Sequence, residues 1–137
     1  MKSKLEKKLH EPITSDVEYI ASLIIESAFK VHRSLGPGLL ESVYEICLCH
    51  ELTKGGLKFR RQVELPILYD GNKLESGLRI DVLVEDEVIV ELKAVENIIP
   101  LYKAQVLTYL KLTGKRLGLL INFNVPLLKD GIKRIIL

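Results

Sequence analysis

The chain of 137 residues has the length of one domain, and 47% hydrophobic with 28% charged residues excludes a disordered or fibrous protein. A formal net charge of +2 excludes the strongly basic balance that would by itself announce a polyanionic partner. No apolar run approaches the ~20 residues of a membrane span and no signal-peptide core opens the chain, so a cytoplasmic protein without a membrane partner is expected.

Residues 1–13 carry Lys2, Lys4, Lys7 and Lys8 and end beyond Glu11-Pro12; they are expected as a loosely docked arm ahead of a single domain, 14–137. Ser15 with Glu18 forms a capping-box signature, which predicts a helix to about Arg33. Val17, Ile20, Ala21, Ile24, Ala28 and Val31 keep helical spacing along it. Gly36-Pro37-Gly38 breaks this helix. A second runs to about Lys54, with Leu40, Val43, Cys47 and Leu48 expected inward and Gly55-Gly56 at its end. Cys47 and Cys49 point in different directions on it, so free thiols are expected rather than a bridge or a shared zinc site.

From Leu57 the period becomes two, and Leu57, Phe59, Val63, Leu65, Ile67 and Tyr69 are expected on one face. Pro66 lacks an amide hydrogen, which predicts an edge strand or a bulge. Asp70-Gly71 turns the chain toward a second strand, Leu78–Val84, and a third spans Val88–Val95. Pro100 opens a helix through Thr113, with Gly114 just beyond. Leu117–Ile121 is an apolar strand, and Ile132–Ile136 a last amphipathic one. A helix joining the third and fourth strands predicts a parallel pair.

The chemistry concentrates in the second and third strands. Val88–Val95 reads VIVELKAV, with Glu91 and Lys93 on one face of an otherwise apolar strand. Asp81 sits in the run LRIDVLV. If Glu85-Asp86-Glu87 is the connecting loop, Val84 faces Val88 and Asp81 faces Glu91, with Cβ atoms roughly 4.5–5.5 Å apart. A loop of two residues would put the acids on opposite faces. Two buried carboxylates are costly unless something positive lies between them. Either Lys93 neutralises one acid as a structural ion pair, or the pair holds a divalent cation. Lys58, Arg60 and Arg61, and Lys115 with Arg116, form basic clusters that could meet phosphates or simply solubilise the surface.

These residues resemble the PD-(D/E)XK nuclease superfamily, with its central Asp…Glu-x-Lys set. Gly38–Tyr44 reads GxxExxY, the signature of the GxxExxY protein family. Gln105 and Tyr109 match the QxxxY element of RecB-like nucleases. Ile80 departs from the pattern, standing where the superfamily has its proline. The resemblance implies an α/β fold with a restriction-endonuclease-like α-β-β-β-α-β core, its mixed central sheet flanked by helices. It also implies a nuclease using Mg²⁺ or Mn²⁺, held by Asp81, Glu91 and the Leu92 backbone carbonyl, with Glu41 contributing from the helix side. Lys93 would orient the attacking water, and Gln105 would touch the site. Glu41 also has a simpler role, since a carboxylate in a first helical turn is stabilising by roughly 0.3–1 kcal/mol. Tyr44 is expected as packing with its hydroxyl tied down, and His32 as a cap near its helix C-terminus. The implied partner is nucleic acid, DNA ahead of RNA. With no separate recognition module, substrate choice falls to the domain surface, a homodimer or another protein. A non-catalytic nucleic-acid-binding or assembly module that keeps the fold is the alternative.

Overall fold

The computed structural model describes residues 11–137. Most of the expected arm over residues 1–13, with its four lysines, lies outside the described residues. Helix α1, Ser15–Leu35, starts one residue earlier than the capping box suggests: Thr14 is the cap, its hydroxyl accepting from Val17 N at 3.3 Å. Glu18 does not close the box because it meets a better donor, the Arg134 guanidinium, at 2.7 and 3.0 Å. Gly36, at φ 66°, ends α1 in a conformation a side chain would resist.

Helix α2, Glu41–Lys54, buries Leu48 as expected but turns inward a face shifted from the expected one. Tyr44, Leu48, Cys49 and Leu52 are buried, Val43 and Cys47 are half-buried, and Leu40 is 73% exposed. Leu40 is the N-cap and still lies outside the helical spiral, so its apolar character does not extend the stripe. Both cysteines are free thiols, and burial pushes Cys49 up to about 11.

Strands β1 (Phe59–Tyr69), β2 (Asn72–Val84) and β3 (Val88–Lys93) form an antiparallel meander. Asp70 and Gly71, both at positive φ, make the two-residue turn between β1 and β2. Helix α3, Pro100–Thr113, carries the chain to β4, Leu117–Asn122, which pairs parallel with β3. A short 3-10 helix, Leu128–Gly131, then leads into β5, Ile132–Ile136, antiparallel to β4. The described strands form one mixed sheet in the order β1-β2-β3-β4-β5. No helix among the described residues is long and apolar enough to cross a membrane.

The sheet is covered on both faces. Ala21, Ile24, Ala28 and Val31 of α1 join Tyr44, Leu48 and Leu52 of α2 over Val82, Val84, Val90, Leu92, Leu119 and Ile121. On the opposite face Tyr109 and Leu110 of α3 pack on Ile80, Leu83 and Ile89. The strands buried on both sides are the apolar ones: every residue of β4 is buried.

The expected single face of β1 is split. Leu57 and Phe59 pack with α1 and α2, Val63 and Leu65 pack with α3, and Ile67 and Tyr69 are exposed. Gln62, at φ 50°, lies between the two sets. Opposite it, Ile80 and Val82 also face different sides, so the ribbon turns over at Asp81. Pro66 marks both an edge strand and a register shift, which falls between Leu65 and Ile67.

Candidate active site

Glu85, Asp86 and Glu87 connect β2 to β3, and Val84 faces Val88. The ladder continues to Val82–Val90 and stops there, one step before Asp81 and Glu91. Beyond it, side chains take over the backbone's hydrogen bonds: Asp81 N donates to Glu91 Oε1 at 2.9 Å, and Leu92 N donates to Asp81 Oδ2 at 2.8 Å. The carboxylates thus lie in the opening between two separating strands, Glu91 at 4% exposure and Asp81 half-buried.

Burial raises both acids. Glu91 is pushed up to about 8, first by burial and then by the Asp81 charge. Asp81 is raised first by burial and further by Glu45, against the Leu92 amide and Lys93. The Asp81 charge opposes ionisation of Glu91, so the titrations of the two carboxyls are linked.

Lys93 does not neutralise the pair by contact. It takes part in none of the ion pairs among the described residues. Its ammonium lies 4.6 Å from the centroid of the Tyr102 ring on α3, while its charge still lowers the pKa of Asp81, Glu91 and Glu41. A simple salt-bridged hairpin is therefore not what the strands form.

Glu41 opens α2 and faces the same region. Its carboxyl is raised by lost hydration first, then by Asp81, with Lys93 opposing. Tyr44, one turn on, sets that helix end: its hydroxyl donates to Gly36 O at 2.6 Å and accepts from Leu39 N at 3.2 Å, and its ring stacks on Phe123. Gln105 and the Arg79 backbone meet the Tyr109 hydroxyl, and Tyr109, buried, is raised by burial and by the charges of Glu91 and Asp81. Gln105 thus meets Tyr109, which feels the two acids through their charge. His32 does not cap its helix; its Nε2 bonds Val125 O at 2.8 Å, tying α1 to the segment after β4.

Two residues escaped the sequence reading. Glu45 is buried, accepts from Arg61 Nη2 at 2.7 Å and Nε at 3.0 Å, and takes a third bond from Gln62 Nε2 at 2.8 Å. Its spacing from Glu41, one helical turn, was the available signal. Asn122 is buried at the end of β4. Its amide bonds Val95 N and Val95 O at 3.0 and 2.9 Å, standing in for a strand just past Lys93. An apolar pattern gives no hint of it. The basic clusters are partly engaged within the protein: Arg60 and Lys115 pair with Asp86, and Arg61 with Glu45.

Among the described residues no three His, Cys, Asp or Glu side chains are grouped as a ready cage for an ion. Asp81 and Glu91 are the acids that meet, and Glu41 feels Asp81 through its charge. The donor chemistry of that pair nonetheless fits a hard divalent cation, which would relieve two close carboxylates of their mutual repulsion.

No curated protein and no solved structure matches the chain. A family model described as the PD-(D/E)XK nuclease superfamily matches residues 18–135, a span that holds both acids, the lysine, β1 to β4 and most of α1 and β5. The mixed sheet between its helices is the restriction-endonuclease-like fold, and the chain belongs to the PD-(D/E)XK nuclease superfamily.

Proposed function

We propose that the chain is a metal-dependent nuclease of the GxxExxY group, cytoplasmic, hydrolysing phosphodiester bonds of nucleic acid, DNA ahead of RNA. The observation that carries this reading is a buried Glu91 paired with half-buried Asp81, with no ion-pair partner among the described residues, beside a lysine whose ammonium rests on Tyr102. Buried charge of that kind destabilises a fold unless it is put to use.

Asp81 and Glu91 would hold Mg²⁺ or Mn²⁺. The Leu92 carbonyl would join them: its amide points at Asp81, and in a strand a residue's N–H and C=O share an edge. Glu41 would support the ion from α2. The chemistry such an ion supplies is charge neutralisation at the phosphate and acidification of an attacking water. Lys93 supplies a movable positive charge for the phosphate and orients the water. On the α3 side Gln105 would steady the Tyr109 hydroxyl, whose ionisation the charges of Glu91 and Asp81 oppose.

A cleavage screen of single- and double-stranded DNA and RNA with Mg²⁺, Mn²⁺ or EDTA tests the reading. Wild type should cut in metal and stop in EDTA. Glu91→Gln and Lys93→Ala should lose roughly 100-fold or more with unchanged circular dichroism. Undiminished cutting by Glu91→Gln would point to a contaminant. Binding of nucleic acid without cleavage under any metal would identify a binding or assembly module.

A further inference from the structure

A lysine beside two buried acids should fall onto them. Its stem is long and flexible, and an ammonium–carboxylate contact strengthens as water is excluded. Lys93 instead rests on the Tyr102 ring, although it stands two residues from Glu91 on β3 and its charge bears on both acids. Phe123 N holds Lys93 O at 2.9 Å, and the Asn122 amide clamps Val95 just beyond. The backbone that carries the ring is also held. Tyr102 lies in the first turn of α3, behind Pro100, and its amide closes that turn on Ile99 O at 3.1 Å. The lysine side chain thus has an aromatic face within reach as well as the carboxylates whose charge it feels.

We propose that Tyr102 is a positioning residue whose ring holds the Lys93 ammonium off the Asp81–Glu91 pair, keeping the pair open to a divalent cation and the ammonium available to a phosphate. This rests on the nuclease reading for its purpose, though not for the contact itself. A cation over an aromatic face retains its charge and most of its donors. An ammonium seated between the carboxylates would stay charged, but its charge and donors would be taken up by them and it would occupy the place of the ion. The hydroxyl of Tyr102 has no part in this, so phenylalanine should serve as well and leucine should not.

The test compares wild type, Tyr102→Phe and Tyr102→Leu, each with folding checked by circular dichroism. In metal-free protein, NMR of ¹³C-labelled lysine should show one ε-methylene shifted upfield by the ring, assigned by its loss in Lys93→Arg. The shift should persist in Tyr102→Phe and vanish in Tyr102→Leu. Mn²⁺ affinity by calorimetry should fall about 2- to 30-fold in Tyr102→Leu, from the strength of such contacts, and recover in Tyr102→Phe. No upfield lysine in wild type overturns the contact. Equal losses in the phenylalanine and leucine variants, or full affinity in the leucine variant, overturn the role. Failure of wild type to bind Mn²⁺ at all overturns the nuclease reading and the purpose of the hold together, while the lysine spectrum still decides the hold itself.

Discussion

The Tyr44 hydroxyl serves a donor and an acceptor in the turn ahead of α2, so its loss leaves Gly36 O and Leu39 N without it. Tyr44→Phe should lower unfolding free energy by about 1–3 kcal/mol, read from urea titrations. Glu91 makes a different prediction. Its pKa stands at about 8 against an ordinary value of 4.5, so between those limits the folded protein keeps a proton that the unfolded chain releases. Metal-free stability should therefore fall as pH rises through that window and level off above it. Asp81, also raised, adds to the same slope. Glu91→Gln should flatten the profile; urea midpoints in EDTA from pH 5 to 8.5 would show it, and a wild-type profile rising with pH would contradict it. Cys49, buried with its thiol pushed up to about 11, should stay unlabelled by a thiol reagent at pH 8 while half-buried Cys47 reacts.

At the level of elements, α3 lies so close to β4 that a Cβ on Gly118 would come within 2.5 Å of Val106 Cγ1. Gly118→Ala should cost about 1–3 kcal/mol by overpacking, seen as a lower melting temperature. Such close approach could not be read from an isolated glycine in an apolar strand. Helix and strand order could, because α1 and β4 have strong periodic or apolar patterns that tertiary contacts reinforce. The facing of Val84 and Val88 was legible for a related reason: three polar residues leave few ways to close a hairpin. The inward face of α2 was not, since Leu40 is apolar yet lies at the cap while Glu45 is charged yet buried against Arg61. Nor was the turning of β1, where positive φ at Gln62 defeats simple alternation. Asp81, Glu91 and Lys93 stood out because charge is rare in such strands, whereas the contact of Lys93 with Tyr102 joins segments whose relative placement only the folded chain sets.

For the whole molecule, an ion that binds only the folded form at ten times its Kd adds about 1.4 kcal/mol, a rise of roughly 3–6 °C in melting temperature for a domain this size. Thermal scans with Mg²⁺ or Mn²⁺ at constant ionic strength should show a saturable shift in wild type and none in Asp81→Asn. Without metal, Asp81→Asn should melt at the wild-type temperature or above, because it removes repulsion. If it melts several degrees lower and neither protein answers to metal, Asp81 is a structural partner only.

The outer half of the β1–β2 hairpin has a consequence of its own. Leu68 and Tyr69 are 71% and 70% exposed and Leu74 is 46% exposed, so this ribbon adds little to either core. A two-stranded hairpin without such support is marginal in water. It should open alone, many times for each unfolding of the domain, so that amides of Ile67–Leu74 trade hydrogen for deuterium quickly while those of β3 and β4 wait for global unfolding. Asp81 lies where the ribbon joins the slow slab, at the step where the β2–β3 ladder ends. The acids are thereby placed on a seam between a part of the sheet that breathes and a part that does not. A ligand bridging Asp81 and Glu91 would stitch that seam, and slower exchange spreading outward from Ile80 along the ribbon would be its trace.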